Sequence, residues 1–447
     1  MTFKIHNELE LRAYCIKDKK IRNYSLKELS NAVSYFHNKI NNIVETDNKN
    51  IGIVLGGLGF LQLALMLALV RSGRNYTIFY YRDQYHENMN LYCDHIFMAG
   101  PWDTTSDELY PNEYKPFEDF WSRKKSSGLY TSIFEPDIEN EALHFESEYN
   151  LEFKFSPEQK IYISPTHEVN PKLAYNTGRI EESCIKAAIA NYYLESDVVV
   201  LVRPFRHIGV ATLSIYPAIF STKKVTLCAW YRDWLKEYKQ ATHVHLAFEM
   251  IRDNWPLPEK LRIVTTGGYP FNSDCVKYVT DQSSVYDIVD CFGTAYCPPP
   301  LAIRYIKKAE SDIDYNAPFV WVNDYIQPVY MLGFKSDDTR AFNSEEPQLA
   351  MVENGVVKTN DIVYNKISND FWFYGSILNY VRVNHTRMES SEFIKFLKEK
   401  TNITKFDFQF KTIDNVKMPI ILLEQHNKEV FEKFINDFSV EIIVIYQ

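Results

Sequence analysis

The sequence predicts an α/β protein of more than one domain, and three observations carry that prediction. Short apolar runs alternate with helical segments from Ile51 to Asp290, the rhythm of strands covered by helices in a largely parallel sheet. Beyond Tyr305 the pattern changes to short strands separated by polar turns, and residues 375–447 read as a small α+β unit. A length of 447 residues exceeds what one hydrophobic core accommodates, so two or three domains are expected.

The elements follow in order. Ser25 to Asn41 reads as an amphipathic helix, with Ser25 as N-cap and Leu26, Leu29, Val33 and Phe36 at helical spacing. Ile51–Leu55 is a short apolar strand, Phe60 to Arg71 a helix stopped near Gly73, and Tyr76 to Tyr81 the next strand, which together make a β-α-β unit. Residues 100–160 are acidic and aromatic, with few glycines, and read as surface excursions with short strands. From Ile161 the rhythm resumes. Helices are expected over Glu181–Tyr193, Leu213–Phe220 and Asn272–Thr280, and a turn and helix over Tyr238–Asp253. Strands are expected over Asp197–Val202, Lys224–Cys228, Leu261–Thr265 (running into Gly267-Gly268) and Ser284–Asp290 (running into Phe292-Gly293). The last unit reads as strand Val381–Val383, helix Ser390–Lys400, strands Lys405–Phe410 and Pro419–Glu424, helix Lys428–Phe438 and strand Val440–Tyr446. A hinge is expected near Gly375. It would divide residues 1–374, including a β-rich part from about 305 to 374, from a small C-terminal lid, 375–447.

Composition narrows the partners. A net charge of −9 and a pI near 5.7 offer no basic face for a phosphate backbone, so nucleic acid is excluded. The longest apolar stretch, Leu58 to Val70, is interrupted by Gln62 and is too short to span a bilayer; it reads as a buried helix. The amino-terminal residues MTFKIHNELELR have no apolar signal core. Seven widely spaced cysteines with no Cys-x-x-Cys pair point to reduced, buried thiols in a cytoplasmic setting. Glycine is sparse, with 15 residues, in a chain whose motifs lead toward phosphate binding.

Those motifs recur in a fixed order. They are YSLKEL at Tyr24, IGIVLGGLGFLQLALMLALVRSG, LVRPFRHIGV, IVTTGGYPF, VDCFGTAY, VKTNDIV and YGSILNYVRVNHTRMESSEFIKFL. In this order they resemble the adenylate-forming superfamily: acyl-CoA synthetases, luciferases and the adenylation domains of peptide synthetases. The resemblance implies a large N-terminal region of stacked β-sheets with flanking helices, a β subdomain and a small C-terminal α+β lid. It implies ATP or AMP as cofactor and a small carboxylate or acyl ligand. By position, His207 in the Pro-x-x-His-x-x-Gly element would lie beside the acyl pocket. Gly267 and Gly268 would pack against adenine, and Phe292 and Gly293 match the Tyr-Gly-x-Thr-Glu motif. Asp361 would hold the ribose hydroxyls. Thr177 and Gly178 are what survives of the phosphate loop, and Gly375, Arg387 and Glu392 match the hinge and lid, where Arg382 or Arg387 would meet phosphate.

The departures from the family pattern are chemical. The family's phosphate loop is a Ser/Thr/Gly run followed by Pro-Lys-Gly; here AYNTGRIEESCI stands in its place. The lysine position is Glu181 with Glu182 beside it, two carboxylates that would repel a triphosphate. The metal-binding glutamate is replaced by Tyr296, a poor magnesium ligand, which disfavours magnesium. Ser376 replaces the hinge arginine, Leu378 and Asn379 the acids after it, and the chain ends in VEIIVIYQ without the family's catalytic lysine. Charge-handling positions are lost while fold-bearing glycines and apolar strands remain. The sequence therefore reads as a scaffold of this fold that binds a small ligand or a partner protein, with itself and a larger assembly among the partners. An active AMP-forming carboxylate ligase, or an acyltransferase acting on an activated adenylate, is the alternative.

Other readings remain beside these. Gly56, Gly57 and Gly59 after a strand, with Asp83 after the next, approach a dinucleotide fingerprint, but Gln62 stands where the third glycine belongs. His243-Val-His245 has no Cys or acid pair near it in sequence, so no metal site is assigned, and the two read as free polar histidines near a helix start. Ser183, Cys184 and His207 form no nucleophile elbow. Asp361 also fits a turn cap, and His207 a satisfied core histidine.

Overall fold

The computed structural model describes residues 2–15, 18, 20–43, 50–55, 59–80, 93–99, 130–132, 136–163, 173–202, 211–229, 231–246, 250–251, 254–267, 271, 273–285, 287–294, 297–307, 317–324, 327–330, 333–335, 340–342, 352–353, 356–358, 361–367, 370–376, 380–383, 386–413, 416–438, 440 and 442–446. The chain divides into two compact units. The first takes Met1–Ser164, Tyr175–Asp314 and Val322–Tyr325; the second takes Pro165–Ala174, Tyr315–Trp321 and Ile326–Gln447.

The first unit is mixed α/β, built on two sheets. In one, strands Ile51–Leu55, Tyr76–Tyr80, His95–Ala99, Tyr130–Ser132 and Lys160–Ile163 run parallel, with Ile51 level with both Tyr76 and His95. The helix that crosses between the first two, Phe60–Ser72, is buried from Phe60 to Val70. A helix apolar on every side has no solvent face to offer, so it is packed all round. It ends as expected at Gly73, whose φ of 66° is the left-handed cap that glycine adopts without strain. Helix Leu26–Ile43 opens on a reciprocal cap. Glu28 N–H donates to Ser25 Oγ (3.1 Å) and Ser25 N–H donates to Glu28 Oε2 (2.6 Å).

In the other sheet, strands Glu10–Cys15, Lys224–Leu227, Val198–Leu201, His243–His245, Ile263–Gly267 and Asp287–Thr294 lie side by side and parallel. Antiparallel strands flank the set, Lys20–Tyr24 beside Glu10–Cys15 and Cys297–Lys307 beside Asp287–Thr294. From Val198–Leu201 the chain goes first to a neighbour on one side, Lys224–Leu227, and then to one on the other, His243–His245. That reversal is a topological switch point, and in open α/β sheets ligands bind outside the carboxyl ends of the strands there.

Several expectations are corrected. Tyr238–Asp253 holds a turn at its start and helical residues at 250–251, but a strand lies between them that was not expected. A short helix Tyr231–Glu237 and a single turn Tyr238–Gln240 lead into strand His243–His245. All three strand residues are buried, so the histidines are interior groups and not free polar ones. Residues 136–143 form a helix where only short strands were expected. The first 24 residues carry strands Phe3–Lys4, Glu10–Cys15 and Lys20–Tyr24, which the sequence reading left without elements.

In the second unit, Asp361–Ile367 pairs antiparallel with Asp370–Ser376, which also pairs with Phe319–Trp321. Strands Gln327–Tyr330, Gly333–Lys335, Val356–Lys358 and Val352–Glu353 make a four-stranded antiparallel sheet. Hairpin Tyr380–Val383 with Thr386–Glu389 leads into helix Ser390–Thr401. Strands Asp407–Ile413, Val416–Leu423 and Ile443–Tyr446 form a sheet with helix Lys428–Phe438 inserted before the last. Phe393, Leu397, Ile421, Phe431 and Phe434 are its core. Gly375, the expected hinge, lies inside strand Asp370–Ser376, level with Ile362. Among the described residues no helix is long and apolar enough to cross a membrane.

Candidate functional site

At the carboxyl edge of the switch-point sheet, backbone approaches backbone. Gly267 ends its strand level with Cys291; a Cβ there would stand 2.7 Å from the Cys291 carbonyl oxygen and 3.4 Å from Leu213 Cδ1. One strand over, the pairing register shifts between Phe292 and Thr294, and a Cβ on Gly293 would collide with Pro299. Any side chain at either position would wedge the strands apart, which is the physical reason for glycine. Beside them lies Ala211–Ile215, a single π-helical turn, a conformation found mostly at functional sites. Its Thr212 hydroxyl is buried and donates to the Pro299 carbonyl at 2.6 Å. Gly267, Leu213, Thr212, Pro299 and Gly293 thus form one wall.

The sites expected from sequence fall into three groups. Gly267, Phe292 and Gly293 come together on adjacent strands at this edge. His207 and Gly268 lie outside the described residues, as does Tyr296; His207 belongs to the segment that follows Val198–Leu201, the switch-point strand. In the second unit, Asp361 is the first residue of strand Asp361–Ile367, and Arg382 and Arg387 are opposite each other in the hairpin.

Thr177 and Gly178 sit in the other sheet, where strand Leu173–Thr177 passes into helix Gly178–Tyr192 with no residue between. The joint is closed. Gly178 N–H donates to the Gln159 carbonyl at 2.9 Å, and the Ser156 carbonyl occupies the space a Cβ would need. Thr177 does not cap the helix with its side chain, and its buried hydroxyl meets no partner among the described residues. Glu181 is fully buried, and burial pushes its pKa well above the carboxylate range. The expected repulsion between two carboxylates and a triphosphate is therefore corrected: Glu181 is held neutral in the interior, while Glu182 pairs with Lys186 at 2.5 Å. Arg179 turns to Glu158 at 3.3 Å.

Sequence reasoning missed the polar clasp at the opposite, amino edge of the switch-point sheet. Asp197 is buried and bidentate with Arg262, at 2.7 Å to Nε and 2.6 Å to Nη2, and accepts from the Leu194 N–H at 2.9 Å. His243 Nδ1 stands 3.6 Å from the same carboxylate and Nε2 is 3.2 Å from Thr265 Oγ1. Burial works to raise the pKa of Asp197, but His243 and Arg262 together hold it well below the usual range. Burial lowers that of His243. The available signal was positional: Asp197, Thr242 and Arg262 each stand one residue before a parallel strand. Among the described residues no group of His, Cys, Asp and Glu is arranged to hold a metal ion.

No protein-family model matches the sequence, and no curated protein matches it. Solved structures do resemble it in fold. The amide bond synthetase McbA from Marinactinospora thermotolerans superposes with a TM-score of 0.62 at 12% identity, over 95% of this chain and 91% of that one. An ATP-bound RpMatB–BxBclM chimera gives 0.60 at 11% identity, over 100% and 92%. MenE from E. coli with a bound analogue of OSB-AMS gives 0.56 at 11% identity, over 99% and 92%. At these identities the likeness is one of fold.

Proposed function

We propose that this chain, which has the adenylate-forming fold, uses it to hold a small acyl or adenylate-type ligand or a partner protein, and has lost ordinary magnesium–ATP chemistry. One observation supports this above the others. Strand Leu173–Thr177 runs straight into helix Gly178–Tyr192, at the position where the motif order calls for a phosphate-cradling loop. A triphosphate needs a concave run of free amides or fixed cations. Here the Gly178 amide is engaged by Gln159, Arg179 is paired with Glu158, and Glu181 contributes no positive charge. Buried cysteines support a reducing, cytoplasmic setting.

The carboxyl-edge wall favours a second reading, an acyltransferase or ligase with atypical phosphate contacts. Gly267 and Gly293 keep close backbone approaches beside the π-helical turn. An acyl group that arrives already activated as an adenylate needs no triphosphate cradle. In either reading Asp361 is the proposed ribose contact and Arg382 or Arg387 the phosphate contact.

Ligand-dependent melting separates the readings. A non-hydrolysable acyl-adenylate analogue is expected to raise the Tm and magnesium–ATP to leave it unchanged, with no pyrophosphate released across a panel of carboxylic acids. Pyrophosphate release with a magnesium–ATP shift would establish the ligase and end the scaffold proposal. Asp361→Ala is expected to abolish the analogue's shift; an unchanged shift removes that residue's role.

A further inference from the structure

Glu181 is an interior carboxyl group with nothing to bind. It is fully buried four residues into helix Gly178–Tyr192, and neither carboxyl oxygen meets a hydrogen-bond partner among the described residues. The Asn176 amide and the Thr177 hydroxyl, immediately before the helix, are buried and equally unpartnered. A carboxylate cannot remain charged in such surroundings; it takes up a proton instead. Burial accordingly pushes its pKa well up.

Among the described residues, two titratable groups face Glu181 from the elements around it. They are the buried hydroxyls of Tyr76, at the start of strand Tyr76–Tyr80, and of Tyr216, at the start of helix Tyr216–Ser221. Burial keeps both neutral, and a charge on Glu181 would hold them so more strongly. Among the described residues, Arg179 pairs with Glu158, Lys186 with Glu182, and Lys160 lies over the Tyr175 ring at 5.2 Å.

Tyr216 also connects this carboxyl to the carboxyl-edge wall. It directly follows the π-helical turn Ala211–Ile215, which holds Thr212 against Pro299 and Leu213 against Gly267. Whatever displaces Tyr216 displaces that wall.

We propose that the proton on Glu181 is a switch for the candidate site. With the proton bound, Glu181 stays inside, and the strand-to-helix joint and the segment 211–221 are held. When it passes to solvent, the carboxylate is drawn toward water and segment 211–221 loosens. The coupling goes beyond the proposed function, because it requires no particular ligand.

Hydrogen exchange of the full chain, read by mass spectrometry and corrected for intrinsic rate, tests it. As pH is raised from the acid side to the alkaline, protection of peptides covering 211–221 is expected to fall. The fall should approach about tenfold per pH unit wherever the opened carboxyl is ionised and the closed one still protonated, because opening then releases one proton, and should level off once the closed state has lost its proton as well. Protection of helix Ser273–Gln282 should stay level. Glu181→Gln is isosteric and cannot ionise, and should abolish the fall. A level wild-type profile, or a fall that persists in Glu181→Gln, overturns the proposal. Should Glu181→Gln not fold, Tyr216→Phe decides. Removing the facing hydroxyl takes a polar group from beside the buried carboxyl, makes its ionised form costlier and should move the levelling-off to higher pH, whereas an unmoved profile overturns the proposal.

Discussion

Gly178 and Ser156 are in backbone contact, with the Ser156 carbonyl in the space where any side chain at Gly178 would begin. The φ of Gly178 is not positive, so the requirement for glycine is steric and not conformational. Gly178→Ala must push the Ser156 segment away and strain the bond from Gly178 N–H to Gln159. The expected loss is about 1–3 kcal/mol, the usual range for overpacking. It should appear as a lower urea midpoint with an unchanged slope. A midpoint equal to that of the wild type would show that the joint is open enough to admit a methyl group.

The clasp at Asp197 carries a second prediction. Arg262→Met keeps the stem but removes both bonds to a carboxylate that is 1% exposed. Breaking a buried pair from one side costs about 3–5 kcal/mol; the 31% exposure of the Arg262 side chain places the expected loss near the lower end of that range. The pH dependence follows from the sign of the shift. The pKa of Asp197 is lower in the folded chain than in the unfolded one, so the unfolded chain binds the extra proton as acid is added. Its contribution is fully present above about pH 5 and is lost as pH falls through the carboxylate range. Arg262→Met should flatten that acid limb in a series of melting curves; an acid limb as steep as before would place the protonation at another carboxylate.

How much of this was legible depended on whether a residue's type matched its surroundings. Helix Phe60–Ser72 and strands Ile51–Leu55 and Val198–Leu201 were read correctly because apolar residues fill interior positions. His243–His245 was not, because its two polar residues are satisfied by Thr265, through side-chain contacts only a neighbouring strand can supply. Glu10–Cys15 was hidden by Glu10 and Arg12, whose charges lie at the sheet's margin with Lys224 and Glu237. For the candidate site, glycines were legible as types at fixed places in an ordered set of motifs. The absence of a loop before helix Gly178–Tyr192 was not, since AYNTGRIEESCI does not state where strand ends and helix begins. The burial of Glu181 was equally hidden, because a carboxyl group is ordinarily a surface residue.

The reciprocal cap at Ser25 gives a smaller and separate effect. Ser25→Ala removes the acceptor for Glu28 N–H and the hydroxyl donor to the Glu28 carboxylate, which keeps the Ser25 N–H and Arg22. The expected loss is about 1 kcal/mol. A double-mutant cycle with Glu28→Ala should show that the two changes do not add. Strict additivity would mean that the two hydrogen bonds act independently.

Thiol chemistry reports on the interior as a whole. Cys15, Cys93, Cys184, Cys228, Cys275 and Cys291 are all buried. Burial raises the pKa of Cys15, of Cys228 and Cys291 still more, and pushes Cys93 up to about 12. Only the thiolate attacks a disulfide reagent, so both access and ionisation protect these groups. At about pH 8, near the ordinary thiol range, none of these six should react rapidly in the native chain. All seven cysteines should react in denaturant. Rapid reaction of any of the six would reveal an opening of the core on the labelling timescale, and mapping the labelled residue would show where it opens. Reaction at Cys184 would be the most informative outcome, because that thiol lies one turn beyond Glu181 in the helix whose first residues close the joint.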